Sequence, residues 1–250
     1  MRYMEFQSGN PTLNTNTFTK VGRFSGRPMT LNGMVNKTGI LLLLLCATGS
    51  LTWDWASEDP AKAAGFATLG GFVGLAAALA TTFKLEWSPV TAPIYALAEG
   101  LFLGAISALF NARYKGIVLQ AVGLTVCVLA AMLFLYRTRV IRPTARFQMG
   151  LLAAMGGIFL LFFVDMILSF FGHGVPFIFG SGPFGIVFSL VVVVIAALSL
   201  IMNFALIEDG IEQGAPAFME WYSGFALLVT LVWLYLSILQ LLARLQGRRD

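Results

Sequence analysis

Long apolar runs alternate with short polar connections along most of this 250-residue chain. A helix of ~20 residues crosses a bilayer core about 30 Å thick, and seven of the runs reach that length within a few residues. Backbone groups inside a membrane must be bonded within their own segment, so each run is predicted to be a helix. We therefore predict an all-α membrane protein, a bundle of seven transmembrane helices. The runs cover residues 38–54, 62–83, 89–110, 116–136, 147–171, 183–207 and 221–243.

Polar residues dominate the two ends of the chain. Residues 1–37 are rich in Asn, Thr, Gly and basic residues and have no apolar periodicity, so they are predicted to be a flexible tail. Residues 244–250 form a short basic tail. The predicted domains are therefore a polar N-terminal tail, a transmembrane domain over residues 38–243, and a basic C-terminal tail.

The composition supports a membrane protein and excludes several other classes. Hydrophobic residues make up 58% of the chain and charged residues 11%, whereas soluble domains carry about 25% charged residues. So few charges cannot cover a water-facing globule, which excludes a secreted disulfide scaffold, a disordered chain and a nucleic-acid-binding domain. The net charge of +4 suits the anionic surface of a membrane. The lipid bilayer is therefore the first predicted partner.

The positions of Lys and Arg indicate the orientation, because cytoplasmic loops carry an excess of both. With a cytoplasmic N-terminus and seven crossings, the inner side holds ten of them and the outer side six. If one of the last two runs were re-entrant, the chain would cross six times and the count would become thirteen against three. Charge favours six crossings and run length favours seven. We predict seven because both runs are long enough to span, and the side of the C-terminus stays open.

Two of the 28 charged residues fall well inside a predicted span, Glu99 and Asp165. An ionised acid at mid-bilayer costs roughly 2.5 to 3.5 kcal/mol on insertion scales, so such groups face a bundle interior or a wet cavity. Glu99 lies about 15 Å into its helix, near the midplane, and indicates an ion or proton pathway. The alternative is a protonated acid bonded to a neighbouring helix. Asp165 lies about 27 Å along its helix and could instead reach the interface.

Four acids gather where the sixth run ends, namely Glu208, Asp209, Glu212 and Glu220. An acidic mouth concentrates cations, which suits a cation pathway. The alternative is a solvated loop, the usual role of a charge run. Asn203 precedes Glu208 by five residues and would continue a polar track deeper into the membrane.

Small residues four positions apart are typical of membrane helices that approach one another closely. One such pair, Gly100 and Gly104, directly follows Glu99, so we expect it to hold the third helix against a partner. Three pairs are candidates for such contacts: Gly70 with Gly74, Gly100 with Gly104, and Ala153 with Gly157.

No set of residues suited to catalysis is visible in the sequence. The single histidine, His173, cannot supply a zinc site that needs several. It shares a surface loop with Ser181, whereas an intramembrane serine protease brings Ser and His together from buried helices. No lysine follows Lys115, which excludes a retinal Schiff base on the last helix. We therefore predict a protein that is not an enzyme and that uses no metal and no cofactor.

Several long blocks occur in an order that resembles a known family. They include MTLNGMVNKTGILLLLL, SPVTAPIYALAEGLFLGAISALF and GAPAFMEWYSGFALLVTLVWLYLSILQLL. They are similar to the YccA branch of the Bax inhibitor family of bacterial membrane proteins, from about residue 29 onward. The resemblance implies a seven-helix fold with the last helix central and a place in the bacterial inner membrane. It also implies a pH-sensitive calcium leak and, for some members, restraint of a membrane-integrated protease.

The chain departs from the family pattern at one functional position. In the wider family, an acid on the sixth helix and one on the seventh form a proton-sensing gate, and the latter follows a Leu-Tyr-Leu pattern. Here residues 234–236 read Leu-Tyr-Leu, and Ser237 replaces the acid. The sixth-helix position corresponds either to Asn203 or to the pair Glu208 and Asp209. A leak in this chain would then need other acids, such as Glu99.

Two functions remain as hypotheses. The first is a pH-sensitive pathway for calcium or protons, with Glu99 at mid-depth. Its further candidate residues are Asp165, Asn203, Glu208, Asp209 and Ser237. The second is a non-enzymatic interaction protein that binds and regulates a membrane protease or assembly through its polar cytoplasmic tail and its loops.

Overall fold

Seven helices account for most of the described part of the chain, which in this computed structural model comprises residues 27–141, 143–170, 180 and 182–248. Each is long and apolar enough to cross a membrane, and together they confirm the predicted all-α membrane fold. A short 3₁₀ turn, Leu85–Trp87, precedes the third helix. The helices are α1 (Leu31–Glu58), α2 (Pro60–Phe83), α3 (Ser88–Arg113), α4 (Ile117–Arg137), α5 (Ala145–Phe170), α6 (Pro183–Glu212) and α7 (Met219–Gln246).

The first helix is longer than its apolar run. It begins at Leu31, where the Thr30 side chain accepts a hydrogen bond from the Gly33 backbone N–H and caps the helix. Residues 31–37, assigned to the polar tail from their composition, are therefore helical. The rest of that tail, residues 1–26, lies outside the described residues. The structure therefore does not test the interaction role predicted for it.

The boundary between α1 and α2 also depends on capping. The Asp59 side chain accepts from the backbone N–H of Ala61, and Pro60 occupies the first helical position. Proline is favoured there because its missing N–H would have no helical partner anyway. A single residue thus separates two helices that apolar length alone placed several residues apart.

The chain divides into two compact units. The first contains residues 27–118 and 207–229 of the described chain, and the second contains residues 119–206 and 230–248. Within the first unit, α1 and α2 both pack along α3. Within the second unit, the C-terminal part of α7 bonds to α6, since Arg244 Nη1 donates to Gly185 O at 2.7 Å.

The helices differ strongly in how much of their surface is covered. In α7, 67% of the most apolar window is buried, against 11% in α5. The high burial of α7 fits the central position implied by the family resemblance. Exposed large side chains such as Leu43, Phe72 and Phe159 would face lipid, where apolar surface carries no penalty.

Contacts within the first unit set the relative position of three helix starts. Residues 27–29 pair with residues 215–217 in an antiparallel bridge, and Ser88 Oγ donates to Phe218 O at 3.0 Å. The first unit therefore has the starts of α1, α3 and α7 at the same end. The 28 residues of α7 extend about 42 Å from there, enough to reach the other side of a bilayer. This supports seven crossings over six.

Candidate functional site

Glu99 lies near the middle of the 26-residue helix α3 and is half-buried. The Tyr95 hydroxyl, one turn earlier, donates a hydrogen bond to its carboxylate. Residues four apart share a helix face, so this bond fixes the carboxylate on the face that α3 turns toward α2. The predicted mid-membrane position of Glu99 therefore corresponds to a defined side-chain environment.

Bare glycine backbone forms the wall opposite Glu99. A Cβ atom added at Gly74 of α2 would lie 3.1 Å from Glu99 Oε2. One turn away, a Cβ at Gly70 would lie 2.6 Å from Ala98 O and 2.7 Å from Phe102 N. The two backbones thus touch without intervening side chains, as the spacing of Gly70 and Gly74 predicted.

The opposite face of α3 is pressed against α1 in the same way. A Cβ at Gly100 would lie 3.0 Å from Thr48 Cβ, and one at Gly104 would lie 2.9 Å from Thr52 Cβ. The expectation that this pair holds the third helix against a partner is confirmed, and the partner is α1. Glu99 is therefore carried by a helix that is clamped between two neighbours.

The third small-residue pair does not mark a helix contact. Ala153 is exposed, and a Cβ at Gly157 would meet nothing within 4 Å. The prediction of a close approach at this pair is wrong, because the spacing shows that two small residues share a face but not which face is packed.

Aromatic contacts connect the Glu99 site to the first half of α7. The Tyr95 ring meets the Phe225 ring edge-on, with centroids 4.9 Å apart. Phe225 is fully buried. The residue that bonds Glu99 is therefore itself held by α7, so movement of this part of α7 would reach the carboxylate through Tyr95.

The acidic group at the end of α6 separates into two environments. Glu208 and Asp209 are half-buried in the last turns of α6, and Glu212 is exposed. Glu220 instead is buried and accepts two hydrogen bonds from Thr30, one from its backbone N–H and one from Oγ1, both at 3.0 Å. Glu220 thus belongs to a structural contact that sequence reasoning missed, because its partner lies 190 positions away.

Two residues stand at positions where the wider family is expected to carry its acid pair, Asn203 and Ser237. They make separate contacts. Asn203 is fully buried, and its Nδ2 donates to Thr230 Oγ1 at 2.7 Å. Ser237 Oγ donates to Trp233 O of its own helix at 2.8 Å. Since Ser237 lies seven residues beyond Thr230, the two positions are offset by about 10 Å along the helix axis. Asn203 and Ser237 are therefore not brought together.

The remaining predicted site residue, Asp165, is half-buried on α5 in the second unit. The loop residues His173 and Ser181 lie outside the described residues. Within the described ranges, no group of three or more His, Cys, Asp or Glu side chains could hold a metal ion. Glu99 is therefore the predicted site residue with the best-defined surroundings.

Comparison with known proteins adds one match. A family model described as Bax inhibitor 1 like matches residues 10–247. No curated protein and no solved structure matches the chain. The matched range includes all seven helices and every predicted site residue.

Proposed function

This chain belongs to the Bax inhibitor 1 like family, and from that premise we propose that it forms a pH-sensitive leak pathway for cations, calcium or protons, through the membrane. The observation that carries the proposal is the half-buried Glu99 in the middle of a membrane-spanning helix. We place the chain in the bacterial inner membrane with its N-terminus in the cytoplasm. The family is not a known enzyme family, and the proposed role is not catalytic.

The cost of placing a carboxyl group at mid-membrane supports a functional role for Glu99. Acidic residues inside membrane helices are rare and mark ion or proton paths more often than not. Tyr95 supplies Glu99 with one donor, and Gly74 leaves the opposite side without a side chain. Among the described residues, Tyr95 is the titratable group that contacts Glu99. The carboxylate thus keeps acceptor capacity for a passing ion or proton.

The acids at the end of α6 supply an entrance for cations in this proposal. Glu208 and Asp209 lie on the same side as residues 27–29, because α6 leads directly into the connection that pairs with those residues. Several negative charges at a mouth raise the local concentration of cations and repel anions. Asp165 is the second candidate acid on the path. Asn203 and Ser237 carry no charge and would line the path without titrating.

Cation flux through the purified protein tests the proposal. Proteoliposomes that contain the full chain and a calcium or pH indicator are followed over a series from pH 5 to 9. We expect a leak above that of protein-free liposomes, and we expect the leak to fall on acidification, because protonated carboxyl groups no longer attract cations. A flux equal to that of protein-free liposomes at every pH would refute the leak function.

A further inference from the structure

The residues before α1 form a short strap across the connection between α6 and α7. Met29 N donates to Ala215 O at 2.6 Å, and Ala217 N donates to Arg27 O at 2.9 Å. Between these two bonds, Pro28 lies opposite Pro216 in an antiparallel bridge. In this arrangement the central pair donates no ladder hydrogen bond, so two prolines occupy the one position where a missing N–H costs nothing.

Side chains fasten the strap at its C-terminal end. Thr30 donates from both its backbone N–H and its hydroxyl to Glu220, which is only 8% exposed. Gly33 leaves the space that the carboxylate fills, since a Cβ there would coincide with the Glu220 side chain. One turn later, Lys37 Nζ lies 5.1 Å from the centre of the Trp221 ring. Four contacts thus join the start of α1 to the start of α7.

Glu220 sits at the N-terminal ends of two helices at once. It is in the first turn of α7, and it accepts from Thr30, the N-cap residue of α1. Helix N-termini carry a partial positive charge that stabilises a nearby carboxylate. The two helix starts therefore share one negative charge, and the loss of that charge weakens the contact from both sides.

The strap is also connected to the acidic last turn of α6. Ala215, which bonds Met29, donates its own N–H to Gly210 O at 3.0 Å. Gln213 N donates to Asp209 O at 3.0 Å, and Gly214 adopts the left-handed conformation, φ 69°, that commonly ends a helix. Displacement of the strap would remove the support of Ala215 and release the turn that carries Glu208 and Asp209.

We propose that residues 27–30 are an autoinhibitory strap that holds the acidic end of α6 and the start of α7 closed, and that the leak increases when the strap detaches. The inference rests on the proposed leak function. The strap depends on a few hydrogen bonds, each of small net value, so it can open without unfolding the helices.

A reversible disulfide tests the strap in the full-length protein. Facing residues of this type of antiparallel pair have Cα atoms about 4.5 Å apart, inside the range of about 4.4–6.8 Å that disulfides bridge. The double substitution Pro28→Cys and Pro216→Cys is made with Cys46→Ser and Cys127→Ser, so that the introduced pair alone can be oxidised. We expect the oxidised protein to leak about fivefold less than the same protein after reduction.

Two opening variants test the opposite direction. Thr30→Val removes the hydroxyl donor and Glu220→Gln removes the shared charge, and each is expected to raise the leak about fivefold. The control is Glu58→Gln, an exposed acid at the other end of α1, which leaves the leak unchanged. Hydrogen exchange at the amides of Met29 and Ala217 reports strap opening independently of flux and should rise in both opening variants.

The outcomes separate failure of the strap from failure of the leak. One outcome would overturn the strap alone. The wild type leaks, and the oxidised, Thr30→Val and Glu220→Gln proteins leak to the same extent, although Met29 and Ala217 exchange faster in the two variants. No leak in any of these proteins would overturn the leak function and the strap with it. A leak that appears only when the strap is opened would support both.

Discussion

Replacement of Glu99 by glutamine is expected to lower the cation leak about tenfold near neutral pH and to weaken the dependence of the remaining leak on pH. Glutamine keeps the size and the Tyr95 contact of Glu99 but cannot ionise. A carboxylate that stabilises a passing cation by about 1.4 kcal/mol changes the flux by that factor. In the proteoliposome series the variant should therefore leak less than the wild type near neutral pH and lose a smaller fraction of its leak on acidification.

Two further variants show whether the effect belongs to the charge of Glu99. Tyr95→Phe keeps the ring that packs against Phe225 but loses the hydroxyl that bonds Glu99. We expect a smaller change, about two- to threefold, because the carboxylate remains. Glu86→Gln removes an acid in the turn before α3 and should have no effect. A Glu99→Gln protein with wild-type flux and wild-type pH dependence would contradict the role of Glu99.

Replacement of Gly70 by alanine is expected to destabilise the fold by roughly 1 to 3 kcal/mol, the usual cost of overpacking. The added methyl would lie 2.6 Å from Ala98 O and 2.7 Å from Phe102 N. Backbone atoms cannot turn aside as a flexible side chain can, so α2 and α3 must separate. Because Gly70 lies one turn from Gly74, the separation also alters the wall facing Glu99. Equilibrium unfolding in detergent measures the stability.

The matched control for Gly70 is the next residue in the same helix. A methyl added at Gly71 would lie 3.7 Å from Phe102 Cδ2, an ordinary contact. We expect Gly71→Ala to change the free energy of unfolding by less than about 0.5 kcal/mol. Gly157→Ala, where a Cβ meets nothing within 4 Å, should behave in the same way. Equal destabilisation by Gly70→Ala and Gly71→Ala would show that the close approach of α2 and α3 is absent.

The number and approximate positions of the helices could be predicted from the sequence, because in a membrane the length of each apolar run is enough to indicate a spanning helix. Their ends could not, because capping and contacts distant in sequence determine where each helix begins and stops. Thr30 starts α1 seven residues before the apolar run, and Asp59 with Pro60 reduces the first connection to one residue. At the other end of the chain, α6 continues through polar residues to Glu212.

The candidate site was predictable in part. Glu99 stands out because a charge inside an apolar run is costly, and the glycines next to it indicated the close helix contacts that the structure contains. Glu220 could not be assigned, since its bonds to Thr30 join residues 190 positions apart in the sequence. Its sequence context, an acid in the first turn of a helix, indicates a stabilised helix start but not the second helix that shares it.

The most direct test of the central claim is whether water reaches the position of Glu99. Glu99→Cys is placed in a chain with Cys46→Ser and Cys127→Ser and treated in proteoliposomes with a charged thiol reagent, which needs an ionised thiol and therefore water. The first reference is Lys115→Cys in the same background, in an exposed turn. The second is a chain that carries Cys46→Ser alone and so keeps the native Cys127, exposed on the apolar helix α4. We expect Glu99→Cys to react as Lys115→Cys does and its modification to change the leak. A thiol at position 99 that is as unreactive as Cys127 would contradict a cation pathway through this site.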